Sequence, residues 1–224
     1  MRDGLIDVNE GERVTLLKRT RKFERRPFSL RELKRIIEVA DDEWRGMILC
    51  GLYTGQRLGD IAELCWNNVD LQRRELRFVT GKTGRRQIIP IARPFAEYLE
   101  SLPASDDPSA PLFPRAYSTR QRNIPTGTLS NQFYRILVAA GLAKARPHTS
   151  TGKGRSSKRE QNELSFHCLR HTTTSLMKNA GISPAIVQEF IGHDSATIST
   201  HYTHIETEAL RKAANALPDL SKAR

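Results

Sequence analysis

His167 and Arg170 stand three residues apart, with His171 next in line, in a run whose apolar spacing predicts a helix from about Ser165 to Ala180 that Gly181 ends. Residues at i and i+3 share a helix face, so the imidazole and the guanidinium can reach one ligand together. A second arginine, Arg57, follows a predicted helix stop in Thr54-Gly55-Gln56-Arg57-Leu58-Gly59-Asp60. Arginine offers a permanently charged planar fork that matches two phosphate oxygens, and imidazole titrates near neutral pH. These types suit attack of a side-chain hydroxyl on a phosphodiester, whose five-coordinate transition state gathers negative charge on its non-bridging oxygens and needs fixed cations there. Taken singly, each of these residues is explained by a surface charge or a hydrogen-bonded structural histidine. A metal-dependent hydrolase is the rival chemistry, because His167 and His171 have the i, i+4 spacing of helical zinc ligands and His193 is a third candidate. Against it, Arg170 would sit beside the dication, and no Glu follows His167 as in His-Glu-x-x-His.

The elements that must position these groups are mostly helical. Ser29 and Glu32 have capping-box spacing ahead of Leu33, Ile36, Ile37 and Ala40. A second helix is predicted from about Glu43 to Thr54, stopped by Gly55, and a short one follows through Ile61 and Leu64. The runs 76–79 and 87–91 read as strands around Thr80-Gly81-Lys82-Thr83-Gly84-Arg85, a hairpin with Lys82 at its tip. Further helices are predicted over 94–101, 129–140 and 205–217, with a short one over 195–201; Ser183-Pro184 opens another that Gly192 ends. Pro103, Pro108, Pro111 and Pro114 mark a loop, as does the Gly/Ser/Lys/Arg-rich stretch 144–161. Trp44 and Trp66 are read as core. The fold class is mainly α with a small antiparallel β-sheet (α+β), divided as a linker segment 1–26, a catalytic domain 27–217 and a tail 218–224.

A formal charge of +11 over 224 residues creates a field that attracts polyanions, nucleic acid first among them. The charge is uneven: residues 115–170 hold eleven Lys and Arg against Glu160 and Glu163, whereas 97–107 hold four acids and no base. Cys50, Cys65 and Cys168 are too few and too scattered for a disulfide framework or a Cys-x-x-Cys metal site, and they read as small buried hydrophobes. No apolar run approaches a membrane span and the N-terminus lacks a secretory layout, so a cytoplasmic location is expected.

His167-Cys168-Leu169-Arg170-His171-Thr172, then Ile191-Gly192-His193, then Tyr202 nine residues on, resemble the C-terminal signature of the tyrosine recombinase (phage integrase) family. The segment 54–60 is similar to the one that carries the family's first catalytic arginine, and Gly81-Lys82-Thr83-Gly84 resembles its β-hairpin lysine turn. The similarity spans roughly residues 26–210, with Ile191 where leucine is more usual. One piece alone is weak, but five in register are specific.

The resemblance implies the tyrosine recombinase catalytic-domain fold, Tyr202 as nucleophile, and Arg57, Lys82, His167, Arg170 and His193 as its catalytic partners. Each role answers a physical need. A phenol of pKa near 10 needs help to lose its proton, and His167 is the expected acid/base. The departing 5′-oxygen needs a proton, expected from Lys82, and His193 would donate to a non-bridging oxygen. Asp60 and His171 are expected as supporting groups, and Arg85, Arg86, Lys153, Arg155, Lys158 and Arg159 as contacts to double-stranded DNA. Because bond energy is stored in a 3′-phosphotyrosine, no cofactor or metal is expected. Family members assemble as homotetramers on paired sites, with a monomer expected when free. They also carry an N-terminal core-binding domain, for which the residues before Arg26 are too few, so a fragment or a short member is expected. A non-catalytic DNA-binding module of the same fold is the alternative.

Overall fold

The computed structural model describes residues 25–103, 107–122, 127–145, 162–192 and 207–220. Helix α1 (Leu30–Val39) begins at a full capping box: Ser29 Oγ accepts from the Glu32 N–H while the Glu32 carboxylate accepts from the Ser29 N–H. Such a cap stabilises a helix by about 1 kcal/mol. The face of α1 that carries Leu33, Ile36 and Ile37 is buried. Just ahead of it the Phe28 N–H donates to Thr172 Oγ1 at 2.9 Å, tying the entry of α1 to a helix far along the chain.

Helix α2 (Asp42–Thr54), capped by Asp41, is buried almost all round from Gly46 onward, as befits a helix at the centre of the core rather than on its edge. It packs against α7 (His167–Asn179) at close range. A Cβ on Gly51 would stand 2.9 Å from Leu169 Cδ1 and Phe166 Cζ, so any larger residue there would push the two helices apart. Gly55 ends α2 in the left-handed region at φ 66°, and α3 (Leu58–Ala62) starts at once behind it.

Strands β1 (Val69–Asp70), β2 (Glu75–Val79) and β3 (Arg86–Pro90) form an antiparallel sheet in that order. Leu76 pairs with Ile89 and both are buried, while the neighbouring pair Arg77 and Ile88 faces outward; this is the period of two expected for a half-buried hairpin. The predicted hairpin is present, and β1 is an addition too short for periodicity to reveal. Helix α4 (Arg93–Glu100) places Phe95 in a stack on Tyr53, ring centroids 5.9 Å apart.

The proline-rich loop ends where Pro114 opens helix α5 (Pro114–Gln121). The sequence reading assigns no helix there: it takes Pro114 as one more loop marker, whereas at the first position of a helix proline loses no hydrogen bond. Helix α6 (Gly127–Ala139) and helix α8 (Pro184–Ile191) match expectation, α8 with Ser183 as its cap and Gly192 at φ 65° beyond its end. Helix α9 (Thr207–Asn215) packs on α8 and β3.

Packing continues past the expected boundary at residue 217. Tyr53 Oη donates to the Pro218 carbonyl at 2.6 Å and accepts from the Leu220 N–H at 2.9 Å, and Leu220 is buried. Leu220 thus packs into the core, with Pro218 half-buried and Asp219 exposed between them. Cys50 and Cys168 are buried as expected, but Cys65 is partly exposed, and Trp66 only half joins the core that encloses Trp44. The predicted helix over 195–201 and the loop 146–161 lie outside the described residues.

Candidate active site

Three chain segments bring Arg57, Arg170 and Lys82 toward one another, and two helix ends do most of the positioning. Where a helix stops, its last carbonyls lack intrahelical partners and carry partial negative charge. Arg170, in the first turn of α7, uses both ends of its guanidinium on such carbonyls: Nη1 donates to Gly55 O at 3.0 Å, at the end of α2, and Nη2 reaches Gly192 O at 3.5 Å, at the end of α8. The residue is only 5% exposed, and burial, then the nearby charge of Arg57, lowers its pKa to about 10, with Asp60 acting in the opposite sense. It stays protonated at neutral pH. Gln56 reinforces the junction, its Nε2 donating to Thr54 O at 3.0 Å and lying 3.5 Å from Ile191 O.

Arg57 occupies the N-cap of α3, where the extended backbone turns its side chain off the helix axis. Its Nη1 lies 3.8 Å from Asp60 Oδ2, and among the described residues neither of these buried atoms has a hydrogen-bond partner. The other carboxylate oxygen, Oδ1, accepts from the Gly81 N–H at 2.9 Å. Asp60 thus joins the first arginine to the turn that carries Lys82. That turn is braced internally: Thr80 N–H donates to Arg85 O and Gly84 N–H to Thr80 O, each at 2.9 Å. Gly84 adopts φ 66°, where a side chain would add strain. Lys82 and Arg86 are exposed, whereas Arg85 Nη2 meets both oxygens of Glu189 at 2.6 and 2.7 Å.

His167 is the first residue of α7, and its ring meets that of His171 edge to face at 5.0 Å. Although the residue reaches the surface, the protein packed about it, followed by the charges of His171, Arg170, Arg25 and Arg57, lowers its pKa to about 4. The direction follows from the neighbouring arginines as well as from burial, and it favours the uncharged imidazole. Burial, then Arg25 and Arg170, lowers His171 also. Two guanidinium groups face a single carboxylate, Asp60, and the local surplus of positive charge suits an anion with several oxygens. Among the described residues no group of three His, Cys, Asp or Glu side chains stands ready to hold a metal ion.

Arg57, Asp60, His167, Arg170 and His171 are the expected residues that the fold gathers, and Gly81, next to the exposed Lys82, is tied to Asp60. His193, Tyr202, Lys153, Arg155, Lys158 and Arg159 lie outside the described residues. Sequence reasoning missed Gln56, Gln87 and Glu189. Gln56 lies inside a recognised segment and was within reach of that signal, but Glu189 and Gln87 acquire meaning only from contacts across the fold. No described helix is long and apolar enough to cross a membrane.

Residues 28–209 match the model of the phage integrase family. Tyrosine recombinase XerD of Vibrio cholerae is 26% identical over 169 residues, 72% of this chain and 49% of that protein. Tyrosine recombinase XerA of Pyrococcus horikoshii is 26% identical over 184 residues, 81% and 58% of the two chains. The chain spans about half the length of the first of these relatives. The integrase of mycobacterium phage Brujita has a similar fold, with a TM-score of 0.65 at 20% identity over 98% of this chain and 67% of that one. So has lambda integrase (residues 75–356), seen as a dimer bound to a core site, with a TM-score of 0.58 at 24% identity over 92% and 70%.

Proposed function

The chain belongs to the phage integrase family, and from that premise we propose that it is the strand-cleaving unit of a site-specific DNA recombinase. Tyr202 Oη attacks the scissile phosphorus, and the bond from phosphorus to the 5′-oxygen breaks. The phenol proton passes to His167, whose depressed pKa keeps it able to accept one. Lys82 protonates the departing 5′-oxygen. Arg57 and Arg170 neutralise the non-bridging oxygens, and His193 donates a further hydrogen bond. The product is a 3′-phosphotyrosyl linkage and a free 5′-hydroxyl, so reversal by a second 5′-hydroxyl rejoins DNA without a nucleotide or metal.

The observation that carries this reading is that the buried Arg170 donates to Gly55 O at 3.0 Å, two residues before Arg57, whose guanidinium faces Asp60, so that both cations stand at one helix junction. Holding two like charges together is unfavourable in an isolated protein and becomes favourable once a phosphate lies between them. Double-stranded DNA is the proposed partner, held by Arg86 and by Lys153, Arg155, Lys158 and Arg159, whereas Arg85 is engaged by Glu189. Assembly as a homotetramer on paired sites, from a free monomer, fits the likeness to a lambda integrase tetramer bound to a Holliday junction.

The test is covalent capture. A nicked duplex bearing the half-site recovered by binding from a random-sequence pool should give an adduct that survives denaturant, and Tyr202→Phe should abolish it. An equal adduct yield from Tyr202→Phe would refute the nucleophile. Tight binding without any adduct would leave only a DNA-binding module.

A further inference from the structure

The turn between β2 and β3 is gripped from two sides. On one side the Gly81 N–H is held by Asp60 Oδ1 at 2.9 Å. On the other, Arg85 Nη2 sits between Glu189 Oε1 and Oε2 at 2.6 and 2.7 Å, across 104 residues of sequence. Lys82 lies between these anchors in the chain, and the bonds among Thr80, Gly84 and Arg85 brace the turn internally. A second contact ties the same strand to the same helix end: the buried Gln87 amide packs so closely under Gly192 that a Cβ there would stand 2.5 Å from Gln87 Nε2.

Resting on the reading of Lys82 as the proton donor, we infer that Glu189 is a positioning residue for Lys82, acting through Arg85. Asp60 refers the turn to Arg57, and Glu189 refers it to the end of α8, so the turn that carries Lys82 is held from both sides. The pair is partly exposed, at 32% and 42% for the two side chains, and exposed ion pairs contribute little to overall stability. Its effect is on the placement of the hairpin tip, where displacement of a reacting group by about 1 Å slows a reaction by up to ~100-fold.

A positioning role predicts a defect confined to leaving-group protonation. Replacing the departing 5′-oxygen by sulfur gives a leaving group that needs no proton, so the defect should vanish with it. Single-turnover cleavage of the selected nicked half-site, with the 5′-oxygen and with a 5′-bridging phosphorothiolate, would compare the parent chain, Lys82→Ala, Glu189→Gln, Lys82→Ala with Glu189→Gln, and the exchange Arg85→Glu with Glu189→Arg. Glu189→Gln should slow the oxygen substrate roughly fivefold, leave the thermal midpoint unmoved and cleave the sulfur substrate at the parent rate. The Lys82→Ala double variant should be no slower than Lys82→Ala alone, and the exchange should restore most of the lost rate. Equal slowing on both substrates, or none on either, overturns the inference. If Lys82→Ala itself is not rescued by sulfur, the reading of Lys82 fails and the inference falls with it, an outcome distinct from rescue of Lys82→Ala but not of Glu189→Gln.

Discussion

The carboxylate of Asp60 accepts the Gly81 N–H at 2.9 Å with one oxygen and lies 3.8 Å from Arg57 Nη1 with the other. One buried acid therefore sets both the first arginine and the lysine turn. The two functions separate chemically, because asparagine keeps an acceptor for the amide but loses the charge that faces the guanidinium.

Asp60→Asn is expected to cleave DNA roughly tenfold slower than the parent chain, and Asp60→Ala roughly a hundredfold slower, in line with about 1.5–3 kcal/mol for hydrogen bonds to charged groups. Single-turnover cleavage measures both. Equal rates for the two variants would show that the contact to Gly81 contributes nothing.

Arg170→Lys should be far from conservative. An ammonium cannot span Gly55 O and Gly192 O and still present a fork to phosphate. Cleavage is expected to fall by ~100-fold or more, with DNA affinity at low salt changed far less, which gel shift and adduct yield on one substrate would separate.

His167 carries a pH signature. Its folded-state pKa is depressed below the unfolded value, so its contribution to stability is present above about pH 6.5 and is lost as pH falls toward the folded pKa, because the unfolded chain binds the proton first. His167→Asn should lose less stability between pH 7 and pH 4.5 than the parent chain in urea melts. Bound phosphate should raise the pKa, visible as a shifted imidazole titration in the Tyr202→Phe complex with DNA.

The parts of the fold that sequence made legible are those whose causes are local. The Ser29–Glu32 box, the stops at Gly55 and Gly192, the Ser183-Pro184 start and the hairpin around Lys82 each depend on residues within one turn of one another. The helix over 114–121 was missed because proline marks both a loop and a first helical position. The partial exposure of Cys65 and the burial of Leu220 were missed because long-range packing decides them. The site divides the same way: type and spacing singled out Arg57, His167 and Arg170 as candidates and the family resemblance singled out Lys82, whereas the Asp60–Gly81 and Arg85–Glu189 contacts exist only once the chain has folded.

Tyr53→Phe tests how firmly the C-terminal residues are held. It removes a hydroxyl that donates to Pro218 O and accepts from Leu220 N–H, leaving two backbone groups without that partner at a cost of about 1–3 kcal/mol. The expected readouts are a lower thermal midpoint and faster amide exchange at Leu220; an unchanged exchange rate would show that the hydroxyl does not hold the segment.

The proposed convergence of Arg57 and Arg170 on one phosphate is tested most directly by removing charge from that phosphate. A scissile methylphosphonate lacks one ionised oxygen, so one guanidinium has less to neutralise. Single-turnover cleavage by the parent chain and by Arg57→Ala, on the ordinary and the methylphosphonate linkage, should show a deficit of ~100-fold on phosphate that shrinks to within a few-fold on methylphosphonate. A deficit of the same size on both linkages would contradict the account.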